Sequence, residues 1–276
     1  MERPKLHVLV VVAHPHDFMH CSGTCGIHTS IGDTVTVVSV TSGASTPHNE
    51  KLSIELAKPP QEQDPDIVNM TPKQFASVKT EELRNVAALF GVTDVRVLEF
   101  PDHPFYLRDH PQAIDQLKDI IIEVRPHVLI TQSPFTSRPN SGPHGLASGV
   151  HNDHNETAYA VLQARSEARA PRFGSTQWPH KIAAVYFLGI YFEPSQIHFS
   201  VDISEWYEQK VQAEAMYISQ GHTLARARRS IELTSGHTGR YSGTKYAESF
   251  VREQQELLPH IIVTPSALKR AESPIV

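Results

Sequence analysis

A continuous apolar run near the N-terminus constrains the fold more than any other part of the sequence. Residues 6–13 read Leu-His-Val-Leu-Val-Val-Val-Ala, so β-branched residues follow one another without the polar alternation of a half-exposed strand. This pattern is typical of a strand in a parallel sheet that is covered on both faces. The run ends directly at His14-Pro15-His16-Asp17, which places polar side chains at the carboxyl end of a buried strand.

The rest of the chain alternates strand-like and helix-like segments, without an internal repeat or a sharp change in composition. This alternation predicts an α/β fold, namely a single Rossmann-like, doubly wound domain over residues 1–276 with a mainly parallel sheet. Strands are predicted at residues 6–13, 34–41, 95–100, 127–131, 182–188 and 197–202, helices at residues 23–30, 79–90, 111–124, 153–168, 204–220 and 244–258, and a long surface loop at residues 42–74.

The composition argues against several classes of protein. Lys and Arg number 25 against 30 Asp and Glu, giving a net charge of −5, so we expect no nucleic acid partner. No apolar run approaches the ~18 residues of a membrane span. The two cysteines, Cys21 and Cys25, cannot form a disulfide framework, which favours a reducing, cytoplasmic location. The basic run at residues 226–229 is expected on a solvated face or at a subunit contact of a homo-oligomer.

The 17 histidines include two clusters that each follow a predicted parallel strand. His14 and Asp17 lie at the end of the first strand, and His151-Asn152-Asp153-His154 follows the loop after the fourth. Ligands of open α/β sheets bind outside the carboxyl ends of the strands, so the two clusters can converge on one point. Two imidazoles and one carboxylate suit Zn²⁺ or another borderline divalent metal, and the same set also suits Fe(II).

Several short motifs, in the same order along nearly the whole chain, resemble those of one known family. They are Ala13–Phe18, Gly23-Thr24, Thr41–Gly43, Lys79–Glu82, Phe90–Val92, Pro101-Asp102, His151–His154, Asp202–Gln220 and Tyr246–Phe250. The chain resembles the LmbE/PIG-L family of zinc-dependent N-acetylglucosaminyl de-N-acetylases. The resemblance implies a Zn²⁺ cofactor and removal of an acetyl group from a small-molecule N-acetylated sugar, sugar conjugate or related amide.

The resemblance also implies roles for individual residues. His14, Asp17 and His154 match the family's zinc ligands. His151 matches the histidine that stabilises the oxyanion or protonates the leaving amine, and Asp153 matches the residue that orients it. Independently of the family, residues in strand-end loops and near them are expected to contact substrate. These candidate substrate-binding residues are Lys79, Asp102 and His144.

The sequence departs from the family at the position of the general base. The family has Asp-Asp-Glu where this chain has His16-Asp17-Phe18, so the first Asp and the Glu are both replaced. His16 can itself accept a proton from water, since histidine is the commonest general base. It can instead be a further metal ligand. The third alternative is a non-hydrolytic metal-binding or ligand-binding protein on a deacetylase scaffold.

Overall fold

The computed structural model describes residues 3–45, 50–135, 152–170 and 178–272. In these residues, seven strands form one sheet in the order β3-β2-β1-β4-β5-β7-β6. Strands β1 to β5 are parallel to one another, whereas β7 runs antiparallel to both β5 and β6. The strands are β1 His7–Val12, β2 Thr34–Thr41, β3 Asp94–Phe100, β4 Val128–Thr131, β5 Ala184–Leu188, β6 Phe199–Asp202 and β7 Ala247–Arg252. The predicted α/β class with a mainly parallel sheet is confirmed.

Helices cover both faces of the sheet, as a parallel arrangement requires. A short 3₁₀ helix, Pro15–His20, follows β1 directly. The α-helices are α1 Ser22–Ser30, α2 Glu50–Leu56, α3 Pro65–Val68, α4 Pro72–Leu89, α5 Gln112–Val124, α6 Asn152–Ala168, α7 Tyr207–Ala215, α8 Leu224–Ile231, α9 His237–Ser242 and α10 Pro265–Glu272. None of the helices in the described part of the chain combines the length and apolarity needed to cross a membrane.

The unbroken apolar run of β1 has a direct structural cause, because both faces of this strand are buried. Val8, Val10 and Val12 belong to a core shared with α1, α4 and α7. Leu9 and Val11 face the other way, into a core shared with α5 and α6. All five side chains are fully buried. Successive strand residues alternate between the faces, so each core receives every second residue.

Two sequence predictions about local structure are wrong. Residues 244–258 were expected to be helical, but residues 247–252 form β7, between β5 and β6. Pairing with strands on both edges outweighs the helical preference of Ala247 and Glu248. Phe250 and Val251, which favour strands, support this pairing. Glu248 is also held by a buried ion pair with Lys210.

The predicted loop at residues 42–74 contains α2, α3 and the first residues of α4. In α2, the apolar side chains Ile54 and Leu56 are more than half exposed, so the described residues of this helix present no core-facing stripe that periodicity could detect. Helix α4 begins earlier than expected because Thr71 and Gln74 form a reciprocal capping box and Pro72 occupies the first turn.

The sheet order places a crevice at the carboxyl ends of β1 and β4. From β1 the chain adds β2 and β3 on one side, while β4 and β5 lie on the other. Strand order therefore reverses between β1 and β4, and this is the position at which doubly wound folds bind their ligands. The segments that leave these two strands carry the polar residues described next.

Candidate metal centre and active site

The 3₁₀ helix after β1 and the first turn of α6 bring three donor side chains together. His14 precedes the 3₁₀ helix in extended conformation, as expected for a residue before proline. The Asp17 backbone N–H donates to the His14 carbonyl at 3.1 Å, and the His14 N–H donates to Asp17 Oδ2 at 2.8 Å. This tight turn fixes both side chains against β1. His154 reaches the same point from α6, 140 residues away in sequence.

The donor atoms of these residues form a nearly equilateral triangle. His14 Nδ1 lies 3.2 Å from His154 Nε2, and Asp17 Oδ2 lies 3.3 Å from each of these nitrogens. His14 and Asp17 are buried, while His154 is half-buried. The structure therefore brings the three predicted ligands to one point with their donor atoms converging.

Each residue of this triangle has a further hydrogen-bond partner. The second ring nitrogen of His14, Nε2, lies 3.0 Å from Asp153 Oδ2. His154 Nδ1 lies 2.9 Å from the hydroxyl of Tyr191. The amide of Gln132 donates to Asp17 Oδ2 at 2.8 Å and accepts the backbone N–H of Ala13 at 2.9 Å. These contacts fix the ring orientation of both histidines.

Asp153 contacts more than His14. Its two carboxylate oxygens also accept the backbone N–H groups of His103, at 2.9 Å, and Phe105, at 2.8 Å. Its described hydrogen bonds thus tie α6 to the loop after β3 and to His14. The predicted partner of Asp153, His151, lies outside the described residues, as does His144. Their predicted roles stay predictions.

His14 and the two carboxylates of the cluster shift one another's pKa values towards the charged forms. Burial lowers the pKa of His14, but hydrogen bonds to Asp153 and Asp17 outweigh it and raise that pKa to about 9. Burial raises the pKa of Asp17, yet the charges of His154 and His14 hold it well below its ordinary value. The pKa of Asp153 is lowered to about 2 against the effect of burial, mainly by its bond to His14. Both carboxylates are therefore anionic at neutral pH, as a cation site requires.

His16 faces a different set of partners. Its Nε2 lies 3.0 Å from Glu214 Oε2 on α7, and its ring stands edge-on to the rings of Tyr217 and His222. Burial raises the pKa of Glu214, but the charge of His16 outweighs it and lowers that pKa to about 2. Phe18, by contrast, is a fully buried core residue whose ring packs 6.0 Å from that of Phe90.

Lys79 and Asp102 lie near each other, in the same region as Asp17. Both side chains are buried, and Asp102, after β3, accepts the backbone N–H of Ser45 at 2.8 Å. Burial lowers the pKa of Lys79 to about 8, although the charges of Asp102, Glu82 and Asp17 oppose the shift. Lys79 Nζ also lies 4.9 Å from the ring centroid of Phe75.

Four residues of the site were not predicted from the sequence. Gln132 directly follows β4 and Tyr191 follows β5 closely, so their positions after parallel strands are the signal that could have found them. Glu214 and His222 carry no such signal, because Glu214 meets His16 through the packing of α7 against the 3₁₀ helix and His222 lies in the segment that follows α7.

Comparisons with known proteins bear on the family of the chain. Residues 9–165, more than half of the chain, match the PIG-L family, described as GlcNAc-PI de-N-acetylase. The chain is 29% identical over 167 residues to the probable N-acetyl-alpha-D-glucosaminyl L-malate deacetylase 2 of Bacillus cereus. That match spans 60% of this chain and 62% of the relative's length.

Solved structures share the fold. GalB, the 4-carboxy-2-hydroxymuconate hydratase of Pseudomonas putida, has a TM-score of 0.70 at 19% identity, covering 93% of this chain and 100% of its own. The N,N'-diacetylchitobiose deacetylase of Pyrococcus horikoshii has a TM-score of 0.68 at 19% identity, covering 89% of this chain and 83% of its own. At these identities the likeness shows the fold alone. The family match over residues 9–165 carries the assignment, and the chain belongs to the PIG-L (LmbE-like) family.

Proposed function

We propose that the protein is a zinc-dependent hydrolase that removes the acetyl group from an N-acetylated sugar or a related amide. The observation that carries the proposal is the triangle of His14, Asp17 and His154 donor atoms at the switch point of a PIG-L family chain. The names of the Bacillus cereus relative and of the Pyrococcus horikoshii structure, both deacetylases of N-acetylated sugars, support the substrate class.

The dimensions of the triangle fit a tetrahedral Zn²⁺ ion. The edge of a tetrahedron is about 1.6 times the distance from its centre to a corner, so ligand distances of about 2.0 Å require donor separations of about 3.3 Å. The three measured separations are 3.2, 3.3 and 3.3 Å. Three protein ligands leave the fourth position open, as in catalytic zinc sites. The side chains therefore fit the ion without rearrangement.

When bound, such an ion supplies a Lewis acid that polarises a carbonyl and lowers the pKa of water. His14, Asp17 and His154 hold the ion in this proposal. Asp153 and Tyr191 hydrogen-bond the outward ring nitrogens of the two histidines, so that the inward nitrogens face the ion, which takes the place of the proton that His14 carries in the metal-free protein.

His16 accepts the proton of the attacking water in this proposal. Its bond to the anionic Glu214 fixes the ring, and a carboxylate in this position stabilises the imidazolium that forms. Lys79 and Asp102 offer a donor and an acceptor for sugar hydroxyls. His151 is proposed to steady the oxyanion or protonate the leaving amine, and His144 to contact the substrate.

The test is release of a free amine from an N-acetylated sugar conjugate. The full chain, loaded with one equivalent of Zn²⁺, is incubated with N-acetylglucosaminyl malate and with N,N'-diacetylchitobiose, and amine is detected with fluorescamine. We expect turnover with at least one of them, and its loss in Asp17→Ala and His154→Ala. His260→Ala, at an exposed histidine, is the matched control and is expected to retain turnover.

Turnover also tests two of the interpretations of His16, the general base and the non-hydrolytic protein. His16→Ala is expected to abolish amine release while Zn²⁺ stays bound, because His16 does not belong to the triangle. Equal turnover in this variant contradicts the proposed base. Binding of a sugar conjugate by calorimetry without any amine release contradicts the hydrolase proposal and favours a ligand-binding protein on the same scaffold.

A further inference from the structure

We propose that His16, Glu214 and His222 form a second, weaker binding site for a divalent transition-metal ion. One donor atom from each of these residues lies within 4.8 Å of the others. Two imidazoles and one carboxylate are the donor set that borderline divalent ions such as Zn²⁺ prefer. No residue of this set belongs to the triangle of His14, Asp17 and His154, so both sites can be filled at once.

The donors of the second site are held by neighbouring groups. The carbonyl of Glu214 can only accept a hydrogen bond, and it lies 3.0 Å from His222 Nδ1, so this nitrogen carries the proton. The same Nδ1 lies 3.3 Å from Glu214 Oε1, so it is the imidazole nitrogen beside this carboxylate, and an ion bound between the two takes the place of its proton. The hydroxyl of Tyr217 donates to the carbonyl of Pro15 at 2.9 Å and fixes the backbone beside His16.

Different helices supply the partners of the two sites. His16 and Asp17 are consecutive residues of a 3₁₀ helix, in which successive side chains point about 120° apart. Asp17 faces His154 from α6, whereas His16 faces Glu214 from α7. The short helix after β1 thus contributes to both sites with adjacent residues.

An ion at the second site has access and room for water ligands. The side chain of His16 is 29% exposed. His16 and Glu214 also line a cavity of about 180 Å³, together with Met19, His20, Thr234 and Ser235 among others. Water from this cavity can complete the coordination of an ion held by the three side chains.

The geometry predicts an order of filling. The triangle has donor separations of 3.2–3.3 Å and its three side chains are only 8–12% exposed, whereas the side chain of His16 is 29% exposed. A more exposed side chain loses more conformational freedom when it binds an ion, and this cost weakens binding. We therefore expect one tight and one weaker equivalent of Zn²⁺ per chain.

Occupancy of the second site has a consequence for activity that rests on the proposed function. An ion coordinated by His16 takes the lone pair that the proposed base needs. Zn²⁺ beyond one equivalent is therefore expected to inhibit amine release. Binding of Zn²⁺ at the second site can be tested independently of this consequence, because zinc stoichiometry is measured without substrate.

The test is zinc stoichiometry by equilibrium dialysis and plasma mass spectrometry, on the full chain after removal of any affinity tag. We expect two equivalents in the wild type and only the tight one in His222→Ala and in Glu214→Gln. His154→Ala is expected to lose the tight equivalent and to retain the weaker one. His260→Ala, at an exposed histidine, is the matched control and keeps two. Circular dichroism melting verifies that each variant is folded.

Three outcomes would overturn the second site. They are a single equivalent in the wild type at millimolar Zn²⁺, a weaker equivalent that persists in folded His222→Ala, and a weaker equivalent lost equally in His260→Ala. Failure of the hydrolase proposal is distinguishable from these, since two equivalents without amine release contradict only the proposed activity. If both proposals hold, inhibition by excess Zn²⁺ shifts to higher concentration in His222→Ala.

Discussion

Replacing the buried Lys79 by methionine is expected to stabilise the metal-free protein at neutral pH. Lys79 is only 2% exposed, on the inner face of α4. Methionine has a similar length and shape but carries no charge, so Lys79→Met removes the cost of burying an ammonium group without opening a cavity. Nearby carboxylates oppose this cost, so the sign of the effect depends on which contribution is larger.

The pKa of Lys79 gives the sign and the magnitude. Burial lowers this pKa from 10.5 to about 8. Each pKa unit corresponds to about 1.4 kcal/mol, so the charged side chain costs the folded state about 3 kcal/mol. Below pH 8 the side chain is charged in both states and the full cost is present. Between pH 8 and 10.5 the unfolded state binds more protons than the folded state, so the cost disappears as the pH rises.

The assay compares thermal unfolding of wild type and Lys79→Met in EDTA at pH 7 and at pH 10. A gain of about 3 kcal/mol in a chain of this length raises Tm by about 5 °C at pH 7. At pH 10 the gain is expected to fall to a small fraction of that value. Lys73→Met, at an exposed position of the same helix, is the control and is expected to show no such pH-dependent difference.

A lower Tm of Lys79→Met at pH 7 would refute the reasoning. That result would mean that attraction to Asp102, Glu82 and Asp17 exceeds the cost of burial, so that removing the ammonium leaves carboxylates without compensation. An equal gain at both pH values would also contradict it, because the stabilisation would then come from apolar packing and not from the charge.

Three further substitutions test other contacts. Glu248→Gln breaks the buried ion pair with Lys210 and is expected to cost about 3 kcal/mol of unfolding free energy; an unchanged urea midpoint would contradict this. Tyr191→Phe removes the hydroxyl beside His154 Nδ1 and is expected to weaken Zn²⁺ binding about 10-fold, measured by competition with a chromogenic chelator. Gly26→Ala would place a Cβ 2.6 Å from the Trp206 ring, and a loss of about 1–3 kcal/mol is expected in denaturant unfolding.

Much of the fold could be predicted from the sequence because its signals are local. The uninterrupted run of β1 reflects burial on both faces, which only a covered strand provides. The stripe of α5, with Ile114, Leu117 and Ile121 buried, records which side of that helix faces the sheet. Strands followed by polar residues marked the edge at which His14, Asp17 and His154 meet.

Other features could not be predicted because no short segment encodes them. Residues 247–252 form a strand only because β5 and β6 offer two edges to pair with. The short helices of residues 50–68 bury few apolar side chains, so periodicity does not reveal them. In the first case, strand pairing outweighed a local preference for helix. In the second, the few buried side chains left no local pattern to detect.

The sequence by itself determined the chemistry available at the carboxyl edge of β1, since the order His14-Pro15-His16-Asp17 fixes which side chains stand there. Only the tertiary structure decided their partners. Asp153 contacts His14 across 139 residues, and Glu214 contacts His16 across 198. The physical reason is that strand and helix periodicity is a property of neighbouring residues. The partner of a polar side chain is set by how distant helices pack on the sheet.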